Sequence, residues 1–318
     1  MKRLLLFLTP LLLCADDPNR VTKLVETMRQ LTFAGDQPAV GRLVPTLIHE
    51  LAMPHAEGAL AWNQIGVYHV GQGNSAEAER AYRRGIRLVE QTGTDRGTLA
   101  LLLVNLGELY LEAGGRAEQA LTIVKRALKR AEESHGSDSE ELSNFIYVLG
   151  AAQSQCGNRR DARRQFERAL VLAGQSKDGK IRRGLILANL AVLRAEDKEW
   201  NEARDIILQA LALLEQNLGV AHPELVPTYL NLARIQRQFK RWDLAGTALE
   251  RARVITETQL GPEHRYMVGI LQSSSFVLKK TGRRSEAREQ ARRAKLIAAS
   301  LPRVVAGETL IHVSELRR

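Results

Sequence analysis

Small and hydrophobic residues along this chain recur with a period of about 42 residues, and within each occurrence their spacing is helical. Alanines at Ala78, Ala120, Ala162, Ala203, Ala245 and Ala287 are separated by gaps of 42, 42, 41, 42 and 42 residues. Four positions after each stands Tyr82, Val124, Phe166, Ile207, Leu249 or Ala291, and three positions further on Gly85, Ala127, Ala169, Ala210, Ala252 or Ala294. Spacings of four and seven place these residues on one face of a helix. About twelve residues before each alanine a small residue follows an aliphatic one: Ile65-Gly66, Leu106-Gly107, Leu149-Gly150, Leu190-Ala191 and Leu232-Ala233. The last copy has Ser274-Ser275 there. The pattern predicts two helices per copy, small residues letting their backbones approach to roughly 8–10 Å while the large residue fills the groove. No segment alternates with period two for long enough to predict a sheet.

The joints between the helices carry turn residues. Gly73-Asn74, Gly114-Gly115, Gly157-Asn158 and Gly282 suit a left-handed helix terminus, where a side chain is penalised. Asn74, Asn158 and Ser285 are the residues expected to accept from free N–H groups at the start of each second helix. A helical face repeated over most of a chain is the signature of a solenoid, in which each unit buries its face against its neighbours.

The clearest copy, Trp62-Asn63-Gln64-Ile65-Gly66 followed by Ala78, Tyr82 and Gly85, resembles the tetratricopeptide repeat, with its W-x2-L-G…A-x3-F-x2-A outline. The 42-residue period resembles the longer kinesin-light-chain type, as do Asn217-Leu218-Gly219-Val220-Ala221-His222-Pro223 and Leu260-Gly261-Pro262-Glu263-His264. His135-Gly136-Ser137-Asp138 is a looser version of that connection. The resemblance covers residues 59–300 as six repeats. A degenerate pair precedes them within 16–58, where Ala39 and Leu43 stand for the ladder residues. The resemblance implies an all-α, right-handed α-solenoid of about seven antiparallel helical hairpins. Residues 301–318 form a tail that either caps the last pair or is disordered.

Composition agrees, with only 5% aromatic residues. At the N-terminus Met1-Lys2-Arg3 precedes the apolar run Leu4–Leu13, and Asp16-Asp17-Pro18 ends it. Ten residues are too few to span a bilayer, which takes about 20, so residues 1–15 are expected to be a secretory signal cut after Ala15. The protein is then extracytoplasmic, periplasmic or secreted. The alternative is a lipidated Cys14, which would anchor it to a membrane; the mass of the mature N-terminus distinguishes the two. Loss of residues 1–15 leaves Cys156 as the only cysteine, so no internal disulfide is available.

The formal charge of +10 falls to +8 on loss of Lys2 and Arg3. Basic pairs recur, and Arg283, Arg284, Arg288, Arg292 and Arg293 make the densest group. Most are expected to be solvated ion-pairing residues. The alternative is a basic surface for an anionic envelope polymer or membrane. Nucleic acid is not expected as a partner, because aromatics do not interleave with the basic pairs. None of the seven histidines forms a metal-binding pair, and no catalytic or nucleotide-binding motif occurs, so no enzyme activity, metal or cofactor is expected. His222 and His264, 42 residues apart, read as repeated connecting loops.

Candidate binding residues lie on the first helices. Asn105, Asn189 and Asn231 immediately precede the aliphatic–small pair, and Gln64 takes that place in an earlier copy. A primary amide donates and accepts, so it can pair with both polar groups of a peptide backbone. The resemblance implies the same, since repeats of this type commonly grip peptides with asparagines there. Arg234 and Arg237 continue the face and can read a carboxylate. The other use for these amides is to bond neighbouring helices. The expected function is a non-catalytic interaction module holding a peptide or protein in a concave groove. The alternative is a structural or assembly component of a cell-envelope complex.

Overall fold

The computed structural model describes residues 19–33, 36–51, 58–93 and 96–301. The expected signal segment 1–15 with Cys14 and Ala15, and the tail beyond Leu301, lie outside the described residues. Fourteen α-helices form among the described residues, as seven consecutive pairs, and no strand occurs there. The pairs are α1 (Arg20–Phe33) with α2 (Gln37–Glu50), α3 (Gly58–Gly71) with α4 (Ser75–Thr92), α5 (Arg96–Ala113) with α6 (Ala117–His135), and α7 (Leu142–Gln155) with α8 (Arg159–Leu172). They continue as α9 (Lys177–Glu196) with α10 (Trp200–Leu218), α11 (Leu225–Gln238) with α12 (Trp242–Ile255), and α13 (Arg265–Lys280) with α14 (Arg284–Ser300). A π-helical turn, Thr256–Leu260, extends α12. The chain is an all-α solenoid.

The ladder alanines Ala78, Ala120, Ala162, Ala203, Ala245 and Ala287 are all 0% exposed. Each second helix therefore turns this face inward, against the small residue of its own first helix. The closeness is direct at two glycines. A Cβ built on Gly66 would lie 2.3 Å from the Tyr82 ring, and one on Gly150 2.8 Å from the Phe166 ring. Where the first helix carries serine instead, Ser275 Oγ donates to the Ala287 carbonyl at 2.7 Å, satisfying its hydroxyl without widening the contact.

The chain divides into two compact units, one of residues 1–110 and 122–134, the other of 111–121 and 135–318. In the first, Val21, Leu24, Met28 and Leu31 of α1 pack with Ala39, Val40, Leu43, Val44 and Leu47 of α2 and Ile65 of α3. Ala39 and Leu43 are both buried in this core. In the second unit one continuous core runs from Ala188 to Ile297. There the first helices of successive pairs touch, α7 with α9, α9 with α11 and α11 with α13, while the second helices stand farther apart. This unit curves toward its first helices, whose uncovered side is its inner wall.

The joints close through the backbone. The N–H groups of Asn74, Asn158, Glu199, Arg241 and Arg283 donate to carbonyls five residues back at 2.8–3.1 Å, the outer bond of a Schellman turn. The expected side-chain caps do not form. Asn74 and Asn158 stand at the N-cap without a side-chain bond, and Ser285 lies inside α14, whose N-cap is Arg283. The backbone closure makes a capping side chain dispensable, which is why Glu and Arg occupy the same place in other copies. Histidine caps α13 instead, His264 Nδ1 accepting from Tyr266 N–H, and in the turn before α11 His222 Nδ1 accepts from Glu224 N–H.

The residue before each of Asn74, Asn158, Glu199, Arg241 and Arg283 has positive φ, glycine in three but Lys198 (65°) and Lys240 (55°) in two. A left-handed non-glycine costs about 1–2 kcal/mol, and glycine returns part of that through its own entropy. Lys240→Gly is expected to raise stability by about 0.5–1 kcal/mol, read as a higher urea midpoint; a lowered midpoint would show that lysine is unstrained there.

Candidate functional site

Between its caps α11 is buried except at Pro227, Asn231, Arg234, Arg237 and Gln238. Steps of three and four put these on one stripe, facing the inner wall of the second unit. On the neighbouring α13, Gln272 and Phe276 are half-buried on the adjacent stripe, one turn apart. The Arg237 guanidinium lies 3.8 Å from the centroid of the Phe276 ring, a cation–π contact that fixes its position on the wall.

The charge of Arg237 is not neutralised by any acid among the described residues. Its Nε is buried without a hydrogen-bond partner, as is Gln272 Oε1. Burial, and secondarily the neighbouring Arg234 charge, lower the Arg237 pKa from its ordinary value. A partly desolvated cation beside a second cation is the electrostatic condition for binding an anion, since a carboxylate would relieve both costs.

The amides divide. Asn189 Nδ2 donates to Tyr147 Oη at 3.3 Å and to the Leu185 carbonyl at 3.0 Å, so both amide hydrogens are engaged and Oδ1 remains as an acceptor. Asn231 is half-buried one helix further on. In the other unit, Asn105 Nδ2 donates to Asn63 Oδ1 at 2.7 Å, and Asn63 is buried. Asn105 is thus bonded to the residue next to Gln64 on the preceding first helix. Gln64 is half-buried on α3. Asn105 and Gln64 belong to the first unit; Asn189, Asn231, Arg234 and Arg237 come together on the wall of the second.

A second group stands at the other end of α11. Arg265 Nη2 donates at 2.9 Å to the Glu112 main-chain carbonyl, 153 residues away in sequence. Desolvation raises the Glu112 pKa; the charge of Glu224, the N-cap of α11, adds to this and Arg265 opposes it. Tyr266 is pushed up to about 12 by burial, with Glu224 and Glu112 contributing. No ion pair joins either carboxylate to Arg265, whose hydrogen bond goes to a backbone oxygen instead.

Sequence reasoning missed Gln272, Phe276, Glu112, Glu224 and Arg265. Gln272 had a signal, standing three residues before Ser275 as Asn63 stands before Gly66. The meeting of residues 112 and 265 had none. Elsewhere, several charged groups pair. In the basic last pair of helices Arg283 binds Glu286 and Arg293 binds Glu257 at 3.2 Å. Cys156, at the C-cap of α7, is half-buried. No helix of the described residues is long and apolar enough to cross a membrane.

A profile of the tetratricopeptide repeat matches residues 98–173 and 183–253. No curated protein matches the sequence. Among solved structures, NprR in complex with its cognate peptide NprX superposes with TM-score 0.68 at 14% identity, over 95% of this chain and 83% of that one. BtubC (BKLC) from P. vanneervenii gives 0.55 at 23% identity, over 76% and 97%. The APC/C hetero-tetramer Cut9–Hcn1 gives 0.60 at 16%, over 90% of this chain but 47% of that chain's length. At these identities the likeness is one of fold. Over residues 98–173 and 183–253 the chain therefore carries tetratricopeptide repeats, and its fold is that of proteins built from them.

Proposed function

We propose that the protein is a non-catalytic interaction module whose inner wall in the second unit holds a peptide or a segment of a partner protein. The observation that carries this reading is Arg237, a half-buried guanidinium without an acid partner, set against Phe276 and beside Arg234. Asn231 and the Asn189 and Gln272 carbonyl oxygens supply backbone-directed groups along the same wall. NprR, solved with its peptide, supports the reading as a protein of like fold.

The basic α14 with its N-cap Arg283 is the weaker candidate surface, because two of the five arginines there are already paired with glutamates. Salt separates the two: an anionic polymer on exposed arginines dissociates steeply as ionic strength rises, whereas a partly buried Arg237 contact is screened less. Pull-down from the native cell extract with wild-type protein identifies the partner. Asn231→Ala with Arg237→Ala is expected to weaken its binding by about tenfold or more, the weight of one charge-assisted hydrogen bond, with an unchanged melting curve. Full affinity in the doubly substituted protein would remove this wall from the function.

A further inference from the structure

The charges on the inner wall are sorted by sign. At the N-terminal end of α11 stand Glu224 and, brought in by the Arg265 bond, Glu112. At its C-terminal end stand Arg234 and Arg237. Several exposed charges of the described residues pair with an opposite charge on their own helix. Glu112, Glu224 and Arg237 form no ion pair among the described residues; desolvation and the Glu224 charge raise the Glu112 pKa, and desolvation and Arg234 lower that of Arg237. Arg265 leaves the acidic end with one negative charge in excess, since it faces two carboxylates.

Glu224 and Arg237 are thirteen residues apart on one helix, about 20 Å at 1.5 Å per residue. An extended peptide of about six residues covers that distance. Asn231 lies between the poles, on the same open stripe, where a peptide backbone crossing from one to the other would pass.

We infer that the wall binds its peptide in one direction, with a cationic end, an α-amine or a basic side chain, at Glu112 and Glu224 and a carboxylate end at Arg234 and Arg237. This rests on the peptide-binding reading and adds polarity and length to it. Reversed, the same peptide would set its carboxylate against two glutamates and its amine against two arginines, so the wrong orientation is repelled at both ends.

The test uses the full chain, immobilised, and two synthetic hexapeptide libraries with four randomised central residues and free termini. One begins with lysine and ends with aspartate; the other has the reverse order. Retention is read by mass spectrometry. The lysine-first library is expected to be retained at least about tenfold better, each end contributing a charge-assisted contact, and its N-acetylated, C-amidated form should lose most of that advantage. In Glu112→Gln with Glu224→Gln the preference for a basic first residue should disappear while that for the terminal carboxylate persists. Should substitution destabilise the fold, Arg237→Gln provides the converse reading, with loss of the carboxylate preference alone. Equal retention of the two orders by wild-type protein overturns the polarity and leaves peptide binding standing. Failure to retain any library overturns the peptide reading of the wall itself.

Discussion

Phe166→Ala is expected to destabilise the second unit by about 3–5 kcal/mol, the usual cost of emptying a buried aromatic site. Phe166 is 0% exposed and its ring lies where the Cβ of any residue but glycine at 150 would be. The pair is complementary, the glycine opening the space that the ring fills. Neighbouring side chains cannot collapse into the void, because Ala162 and Ala169 flank the ring on α8 and are themselves fully buried. Urea unfolding monitored by circular dichroism measures the loss. A change below about 1 kcal/mol, the range of ordinary surface substitutions, would mean that α7 and α8 are not clamped through this contact.

Ala162→Leu acts in the opposite sense, by overfilling. Ala162 is 0% exposed, and its carbonyl lies 3.3 Å from where a Cβ on Gly150 would be, so the backbones of α7 and α8 are already in contact at this level. A leucine must push the helices apart or leave its preferred rotamer, at about 1–3 kcal/mol. The displacement also moves the pair against α9, so the unfolding midpoint should fall without loss of helix content in the native baseline. An unchanged melting curve would show that the ladder alanine does not set the helix spacing.

Both substitutions address the part of the molecule most legible from its amino acids. The alanine ladder, the large residue within it and the glycine turns are local, and each is repeated, so a copy as weak as Ala39-x3-Leu43 could be placed by comparison with its neighbours. The turns also show where such reading stops. Asn74 and Asn158 carry a capping side chain that the backbone closure leaves unused, and Lys198 and Lys240 adopt a glycine conformation that nothing in their identity announces. The candidate site was half legible. Asn231, Arg234 and Arg237 follow the helical face, but whether an amide on that face is spent on a neighbouring helix depends on what stands opposite. Asn105 is bonded to Asn63, and Asn189 to Tyr147.

Sequence alone determined the paired helices, their number and their register, because these follow from side-chain size at fixed spacing along one chain. Tertiary structure decided which polar groups remain for a partner. It set Arg237 on Phe276, joined Arg265 to Glu112 across 153 residues, and gathered two acids at one end of α11 and two bases at the other. The physical reason is distance. Packing within a hairpin is governed by neighbours a few residues away, whereas the field on the wall sums charges contributed by helices far apart in the chain, and their positions depend on how each pair stacks on the next.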